Sequence, residues 1–280
     1  MEKTLIIFGG GDFEESAARK IAISSGLVVA SATFNDIRCH AGNAYQANGF
    51  MVDNGTIENV TKVIIFECNP LVAGEFPIIL QADHHNPGDF GYGIGAERFF
   101  DASSLGQLMN FLGIEPNIKQ LMVAAGDHCP VDAYAGKCLG IDRSDFAKFR
   151  ISQKLEFYNS IKDVRNEHKN TLETLTSIIE EAKRKLLEAP IIDGVRDLRS
   201  MGYIDELPEA ALSLGVAFMS QIEELDHDMQ PTGNIKILLS GCATPETITK
   251  FMEWGNSLIN KVNVYGNPTR GYAGVVIKSE

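Results

Sequence analysis

The stretch Ile79-Leu80-Gln81-Ala82-Asp83-His84-His85-Asn86-Pro87-Gly88-Asp89 passes from an apolar run into a polar turn. The apolar run predicts a buried strand, and the turn residues Asn86-Pro87-Gly88 end it. Two imidazoles and a carboxylate at the carboxyl end of such a strand supply the nitrogen and oxygen ligands that suit Mn²⁺, Fe²⁺ or Zn²⁺. Open α/β sheets place their sites at these strand ends. By itself, the triplet fits a polar turn with locally hydrogen-bonded histidines equally well.

The segments before and after this strand indicate an α/β domain over residues 1–145. Strands are predicted at Thr4–Phe8, Leu27–Thr33, Val60–Phe66, Pro77–Ala82 and Leu121–Ala125, with a helix over Phe13–Ser25. Because strands alternate with helical segments, we expect parallel pairing with right-handed crossovers. The predicted fold class is therefore a parallel-sheet N-terminal domain with helices on both faces.

The second half of the chain changes in composition. Residues 145–188 are charged, apolar-periodic and free of glycine, which predicts long helices and a helical connector over 146–190. Beyond it, a smaller α/β C-terminal domain is expected over 191–280. Its elements would be strands at Ala211–Gln221, Ile235–Ser240 and Tyr272–Ile277, and a helix at Pro245–Trp254.

The amino-acid composition argues against several classes of protein function. Twenty-five basic residues against 37 acidic ones give a net charge of −12, which disfavours binding to a long nucleic acid. No apolar stretch reaches the length of a membrane span, and the first residues lack a secretory apolar region, so no membrane association and a cytoplasmic location are expected. Five cysteines without a C-x-x-C pair do not form a disulfide framework. A homo-oligomer is compatible with the sequence.

Acidic residues follow several predicted strands besides the one that leads to the triplet. Asp12, Glu14 and Glu15 follow the first strand, Glu67 follows the third, and Asp127 with His128 follows the fifth. In a parallel sheet these ends lie at one edge, where carboxylates and imidazoles can together neutralise two neighbouring cations. For Asp12 alone, the competing interpretation is a helix N-cap.

The order and spacing of these groups resemble the DHH phosphoesterase superfamily, which is named for the triplet found here at Asp83-His84-His85. Its first motif would correspond to Gly10–Ala17, its second to Glu67, its small-residue helix to Ser103–Leu108 and its fourth motif to Asp127. A helical connector and a smaller C-terminal domain with a glycine-rich substrate loop also belong to that family's layout.

The chain also departs from the family pattern. Glu14 and Glu67 stand where aspartates are usual, and each adds a methylene to the reach of the ligand. The segment Tyr265–Gly274 lies where the substrate loop would be, but it lacks the run of three glycines and a histidine that is common there.

The resemblance implies a metal-dependent phosphohydrolase or phosphodiesterase for a small phosphate ester, such as a nucleotide or short oligonucleotide. A divalent metal, Mn²⁺ before Mg²⁺, Fe²⁺ or Zn²⁺, would activate a water molecule that attacks phosphorus. His85 would neutralise developing charge or protonate the leaving oxygen, and Asp83 would orient a histidine. The implied metal ligands are Asp12, Glu14, Glu67, His84 and Asp127.

Four residues are predicted to contact the substrate. Arg270, with Asn267 and Gly271 beside it, has the planar fork and the close backbone approach that suit a phosphate. The alternative is a β-turn with a solvated arginine. His40 would line the cleft, or else be a locally hydrogen-bonded histidine at a helix start.

Other functions compete with this hypothesis. The two glutamate replacements are compatible with a non-catalytic nucleotide or metabolite binder whose metal site has degenerated. A subunit that docks a protein partner would need an exposed apolar patch. His128, Cys129 and Cys138 do not form an accepted zinc ligand set. Glu14 and Glu15 put negative charge where a dinucleotide pyrophosphate would lie, which argues against a Rossmann site.

Overall fold

The structure, a computed structural model, describes residues 2–40, 42–160, 171–202, 204–225, 230–268 and 271–279. The chain forms two compact units, residues 1–146 and 147–280, which are described separately below. Both units combine helices with a sheet, so the predicted two-domain α/β fold class is confirmed. Among the described residues, no helix combines the length and the apolar character needed to cross a membrane.

The first unit contains a six-stranded sheet in the order β3-β2-β1-β5-β6, with β4 also paired to β2. Its strands are β1 Lys3–Phe8, β2 Val28–Phe34, β3 Ile37–Arg38, β4 Gly49–Asn54, β5 Val60–Phe66 and β6 Ile78–Ala82. The strands β2, β1, β5 and β6 pair in parallel, as predicted, whereas β3 and β4 run antiparallel to β2. The carboxyl ends of β1, β5 and β6 therefore lie at the same edge.

The helices of the first unit are α1 Phe13–Ser24, α2 Phe99–Ala102, α3 Ser104–Leu112, α4 Ile118–His128 and α5 Pro130–Tyr134, and α6 Arg143–Ser160 begins in it. One face of the sheet packs on α1 and α3, with Ile64 and Phe66 against Ala18 and Leu108. The other face packs on the short 3-10 turns Ala44–Gln46 and Pro70–Ala73 and on the loops around them. The sheet is therefore covered on both faces by apolar side chains.

The predicted strand at Leu121–Ala125 is wrong, because these residues lie inside α4. A five-residue apolar run fits a buried strand or a buried helix turn equally well, and leucine, methionine and alanine favour the helix. Asn117 and Gln120 form a capping box that begins the helix. Asp127 consequently lies in the last turn of a helix, and not after a strand.

The second unit contains the rest of α6 and α7 Leu172–Glu188, and residues 161–170 between them lie outside the described part of the chain. The segment predicted as a connector thus belongs to this unit from residue 147 onward. Ala182 and Leu186 of α7 pack against Leu207 and Ala210 of α8 Leu207–Leu214. The helix α9 Pro245–Ser257 includes the predicted helix at Pro245–Trp254.

The sheet of the second unit has the order β11-β12-β10-β9-β8-β7. Its strands are β7 Ile191–Ile192, β8 Val195–Asp197, β9 Ala217–Leu225, β10 Pro231–Gly241, β11 Lys261–Asn267 and β12 Tyr272–Lys278. The strands predicted at Ile235–Ser240 and Tyr272–Ile277 are confirmed. The strand predicted over Ala211–Gln221 is only partly right, because Gly215 ends α8 in the left-handed conformation (φ 67°) before β9 begins.

Candidate metal centre

Asp83 is the buried centre of the turn that follows β6, with 1% of its surface exposed. Its Oδ1 accepts hydrogen bonds from the backbone N–H groups of His84 (2.8 Å) and His85 (3.1 Å). The hydroxyl of Tyr45 lies 2.9 Å from each carboxylate oxygen. Burial opposes ionisation of Asp83, but the donors of His85 and Tyr45 outweigh it and lower the pKa of this carboxyl. Asp83 therefore shapes the turn as a buried anion.

Asp83 also orients His85 directly. The Nδ1 atom of His85 lies 3.0 Å from Asp83 Oδ1, so the tautomer with hydrogen on Nδ1 donates to the carboxylate and leaves Nε2 free. The His85 ring stacks on that of His84 with centroids 4.2 Å apart and faces the Tyr45 ring edge-on at 6.3 Å. The expected orienting role of Asp83 thus applies to the His85 ring, while Asp83 contacts His84 through its backbone.

His84 points both ring nitrogens at polar groups. Its Nδ1 lies 3.2 Å from the hydroxyl oxygen of Ser104 at the start of α3, and its Nε2 lies 3.0 Å from Asp127 Oδ2. Asp127 Oδ2 is buried and has no hydrogen-bond partner among the described residues other than this close contact with His84. A ring nitrogen and a carboxylate oxygen that converge in this way could both bind one cation.

Glu67 supplies a second carboxylate from the end of β5. Its backbone lies in the left-handed region (φ 50°), which is uncommon for a glutamate. The backbone of Gly9 passes so close that a Cβ atom there would lie 2.0 Å from the Glu67 carbonyl oxygen. Glu67 Oε1 lies 3.8 Å from Nδ1 of both His84 and His85 and has no hydrogen-bond partner in the described part of the chain.

These contacts gather four side chains, Glu67, His84, His85 and Asp127, whose ligand atoms lie within 4.8 Å of one another. Two carboxylates and two imidazoles match the mixed oxygen and nitrogen sets of first-row divalent metals. Buried carboxylate oxygens without donors are costly, and a cation would remove that cost. The cluster fits a divalent metal ion on these grounds and could hold one.

Glu14 and Asp12 border this cluster. Glu14 is fully buried, and its Oε1 accepts a hydrogen bond from the backbone N–H of Leu105 in the first turn of α3 (3.0 Å). Its other carboxylate oxygen has no partner in the described part of the chain. Burial, and next the charge of Asp127, raise the pKa of Glu14 well above its ordinary value. Glu67 behaves in the same way, since burial and the charge of Glu14 raise its pKa.

Asp12 has two roles in the structure. It is the N-cap of α1, because its Oδ1 accepts a hydrogen bond from the N–H of Glu15 at 2.7 Å, as the competing interpretation predicts. Burial and the charge of Asp127 nevertheless raise the pKa of Asp12 to about 7. The carboxylate is therefore electrostatically part of the same acidic site, although it is outside the four-residue cluster.

Only some of the predicted metal ligands belong to the four-residue cluster. Glu67, His84 and Asp127 meet in the cluster, and Asp12 and Glu14 border it. His85, predicted as a proton donor, is a fourth potential ligand.

The predicted substrate residues are not among the four side chains of the cluster, and Arg270 is not described. His40 is exposed, and its Nδ1 accepts a local hydrogen bond from the N–H of Gly42 at 3.0 Å, which matches the alternative for this residue. Arg270 lies outside the described residues. Asn267 ends β11 and Gly271 precedes β12 in the left-handed conformation (φ 70°), so both belong to the second unit. Their contact with substrate stays a prediction.

The sequence does not assign Tyr45 or Ser104 to the site. Tyr45 carries no local signal, because a tyrosine in a short 3-10 turn has no pattern that points to a distant aspartate. Ser104 appears in the sequence only as part of a predicted helix. His128 faces the His84 ring edge-on at 5.0 Å, and its Nε2 lies 2.8 Å from the carbonyl oxygen of Ile94. This hydrogen bond ties the end of α4 to the loop that follows the triplet.

No protein-family model, curated protein or solved structure matches this chain. Any functional assignment therefore depends on the chemistry of the site.

Proposed function

We propose that this protein is a divalent-metal-dependent phosphohydrolase that acts on a small phosphate ester, such as a nucleotide or a short oligonucleotide. The observation that supports the proposal is the convergence of Glu67, His84, His85 and Asp127 at the carboxyl edge of a parallel sheet, with buried carboxylate oxygens that have no hydrogen-bond donor among the described residues. The resemblance of the Asp83-His84-His85 motif to DHH phosphoesterases points to the same chemistry.

Glu67, His84 and Asp127 would hold the metal, with Asp12 and Glu14 available on the border of the cluster. Mn²⁺ is the proposed ion, because two carboxylates and an imidazole combine the hard and borderline ligands that it accepts. When bound, such an ion polarises phosphoryl oxygens and lowers the pKa of a coordinated water. The carboxylates of the protein balance its charge.

His85 is proposed to move the proton. Its Nδ1 donates to the Asp83 anion, and this contact fixes the orientation of the ring. A proton carried on Nε2 would then pass to the leaving oxygen. Tyr45 acts through Asp83, because its hydroxyl holds the carboxylate in place.

The acidic surface favours a small substrate over a long nucleic acid. With a net charge of −12, the chain would repel an extended phosphate backbone unless a local basic surface compensated. Arg270, Asn267 and Gly271 of the second unit are proposed to contact the phosphate.

Metal analysis and a substrate panel test the proposal. Purified protein is expected to bind Mn²⁺ stoichiometrically and to release phosphate from at least one member of a panel of mono-, di- and cyclic nucleotides and short oligonucleotides. Chelator should abolish this activity and Mn²⁺ should restore it. Failure to bind Mn²⁺, Fe²⁺, Mg²⁺ or Zn²⁺ would refute the metal centre. Binding without turnover would favour the non-catalytic alternative.

His85→Ala separates proton transfer from metal binding. We expect the variant to retain Mn²⁺ and to lose about 100-fold or more in kcat, which is typical of removing a general acid. His40→Ala is the matched control, because that histidine is exposed and locally bonded. Near-normal hydrolysis by His85→Ala would contradict the assigned role, and loss of the metal would identify His85 as a ligand.

A further inference from the structure

Two cysteines that are nine positions apart meet close to the candidate metal centre. The sulfur atoms of Cys129 and Cys138 lie 3.3 Å apart, in a thiol–sulfur hydrogen bond. Cys129 joins α4 to α5 and is partly exposed, while Cys138 is buried in the segment between α5 and α6. All five cysteines are free thiols. A pair of thiols in contact is the geometry from which a disulfide forms with little movement.

We propose that Cys129 and Cys138 form a redox-active dithiol, which small-molecule disulfides oxidise to an intramolecular disulfide. The more exposed Cys129 sulfur attacks the small disulfide, forms a mixed disulfide and releases one small thiol, which takes up the Cys129 proton. The Cys138 sulfur then attacks the Cys129 sulfur and releases a second small thiol, which takes up the Cys138 proton. Two electrons pass from the protein to the small disulfide.

The backbone around Cys138 can accommodate the bond. The sulfur–sulfur distance in a disulfide is about 2.05 Å, so the two atoms must approach by about 1.2 Å. Gly136 (φ 73°) and Gly140 (φ 81°) flank Cys138 in conformations suited to tight turns. Cys129 is held more firmly, because its N–H donates to Ala125 and its carbonyl accepts from Ala133. Most of the movement is therefore expected on the Cys138 side.

The smaller part of the movement, which falls on Cys129, displaces the last turn of α4 because Cys129 directly follows this helix. This turn carries Asp127, whose Oδ2 lies 3.0 Å from His84, and His128, whose ring contacts that of His84. Oxidation is therefore expected to displace Asp127 from its position in the cluster and to weaken cation binding. This coupling rests on the proposed metal site, whereas formation of the disulfide does not.

Differential alkylation tests the disulfide. The full-length protein is equilibrated with mixtures of reduced and oxidised glutathione, free thiols are alkylated under denaturing conditions, and proteolytic peptides are analysed by mass spectrometry. We expect one cross-linked product that joins Cys129 to Cys138, and alkylation of Cys39, Cys68 and Cys242. The control Cys242→Ser should give the same product. Alkylation of both Cys129 and Cys138 in the most oxidising mixture, or pairing of Cys129 with another cysteine, would overturn the proposal.

Calorimetric titration with Mn²⁺ tests the coupling. Oxidised protein is expected to bind Mn²⁺ about tenfold more weakly than reduced protein, the size of effect seen when the groups that support a metal ligand are disturbed. Cys129→Ala should bind equally before and after glutathione treatment. Equal affinity of the two redox forms of the unmodified chain overturns the coupling. Absence of Mn²⁺ binding in both forms refutes the metal centre, and the peptide map still decides whether the dithiol is redox-active.

Discussion

Substitution of Asp83 by asparagine should destabilise the first unit even without metal. The carboxylate accepts three N–H groups from His84 and His85 on one oxygen and shares the Tyr45 hydroxyl between both. Asparagine keeps an acceptor oxygen for the three N–H groups, and the Tyr45 hydroxyl can turn to accept from the new amide. The shape of the turn is therefore preserved while its negative charge is lost.

The expected loss in the free energy of unfolding follows from these four contacts. A hydrogen bond to a charged acceptor contributes about 1 kcal/mol more than one to a neutral acceptor, so four contacts give about 4 kcal/mol. The neutral amide costs less to bury than the carboxylate, and this offsets about 1–2 kcal/mol of the loss. We expect Asp83→Asn to reduce the free energy of unfolding of the first unit by about 2–3 kcal/mol.

The stability lost in Asp83→Asn should become smaller at low pH. The pKa of Asp83 is lower in the folded protein than in the unfolded chain, so its contribution is present above the ordinary aspartate pKa and is lost as the pH falls through the lowered value. The difference between the unmodified chain and Asp83→Asn should therefore be full at pH 7 and shrink below about pH 4.

Hydrogen exchange across a urea titration in chelator-containing buffer measures the effect in peptides of β5 and β6. The single tryptophan, Trp254, lies in α9, so its fluorescence reports separately on the second unit. Asp101→Asn is the matched control, because Asp101 is about half exposed and its loss should cost less than about 0.5 kcal/mol. Equal stability of Asp83→Asn and the unmodified chain at pH 7 would refute the view of Asp83 as a buried anion that organises the turn.

Two further predictions concern the acidic site. In metal-free protein, the pKa of Asp12 is raised to about 7, so its folded protonated form contributes stability at low pH that is lost as the pH rises through 7. As the pH rises from about 4 to 7, the thermal midpoint of unfolding should fall by an amount equivalent to at most about 4 kcal/mol. Addition of Mn²⁺ should restore the midpoint. A midpoint that rises with pH over this interval would contradict the predicted direction. Gly9→Ala places a Cβ atom 2.0 Å from the Glu67 carbonyl and should cost about 3 kcal/mol and most of the Mn²⁺ affinity. Gly11→Ala, where a Cβ meets nothing within 4 Å, should keep both, and equal behaviour of the two variants in calorimetry would exclude the close approach as a determinant of the site.

The local sequence determined the parallel sheet and the ends of its strands. Apolar runs that stop at turn residues place Glu67 after β5 and Asp83-His84-His85 after β6, and parallel pairing then brings these residues to the same edge. This part of the candidate site could be predicted because strand ends are set by residues adjacent in the chain. The glutamates at positions 14 and 67 are both buried.

The remaining parts of the site depend on contacts between distant residues. Whether Leu121–Ala125 forms a strand or a helix is ambiguous in a short apolar run, and the tertiary structure decides that Asp127 approaches from the end of α4. Tyr45 meets Asp83 across 38 positions. Cys129 and Cys138 meet because α5 and the turn after it reverse the chain. Hydrophobic patterning acts along the chain, and it is therefore enough to predict which ligands lie at the strand ends. The helix and the side chains that complete the cluster are selected by packing between distant residues, because packing sets the distances between them.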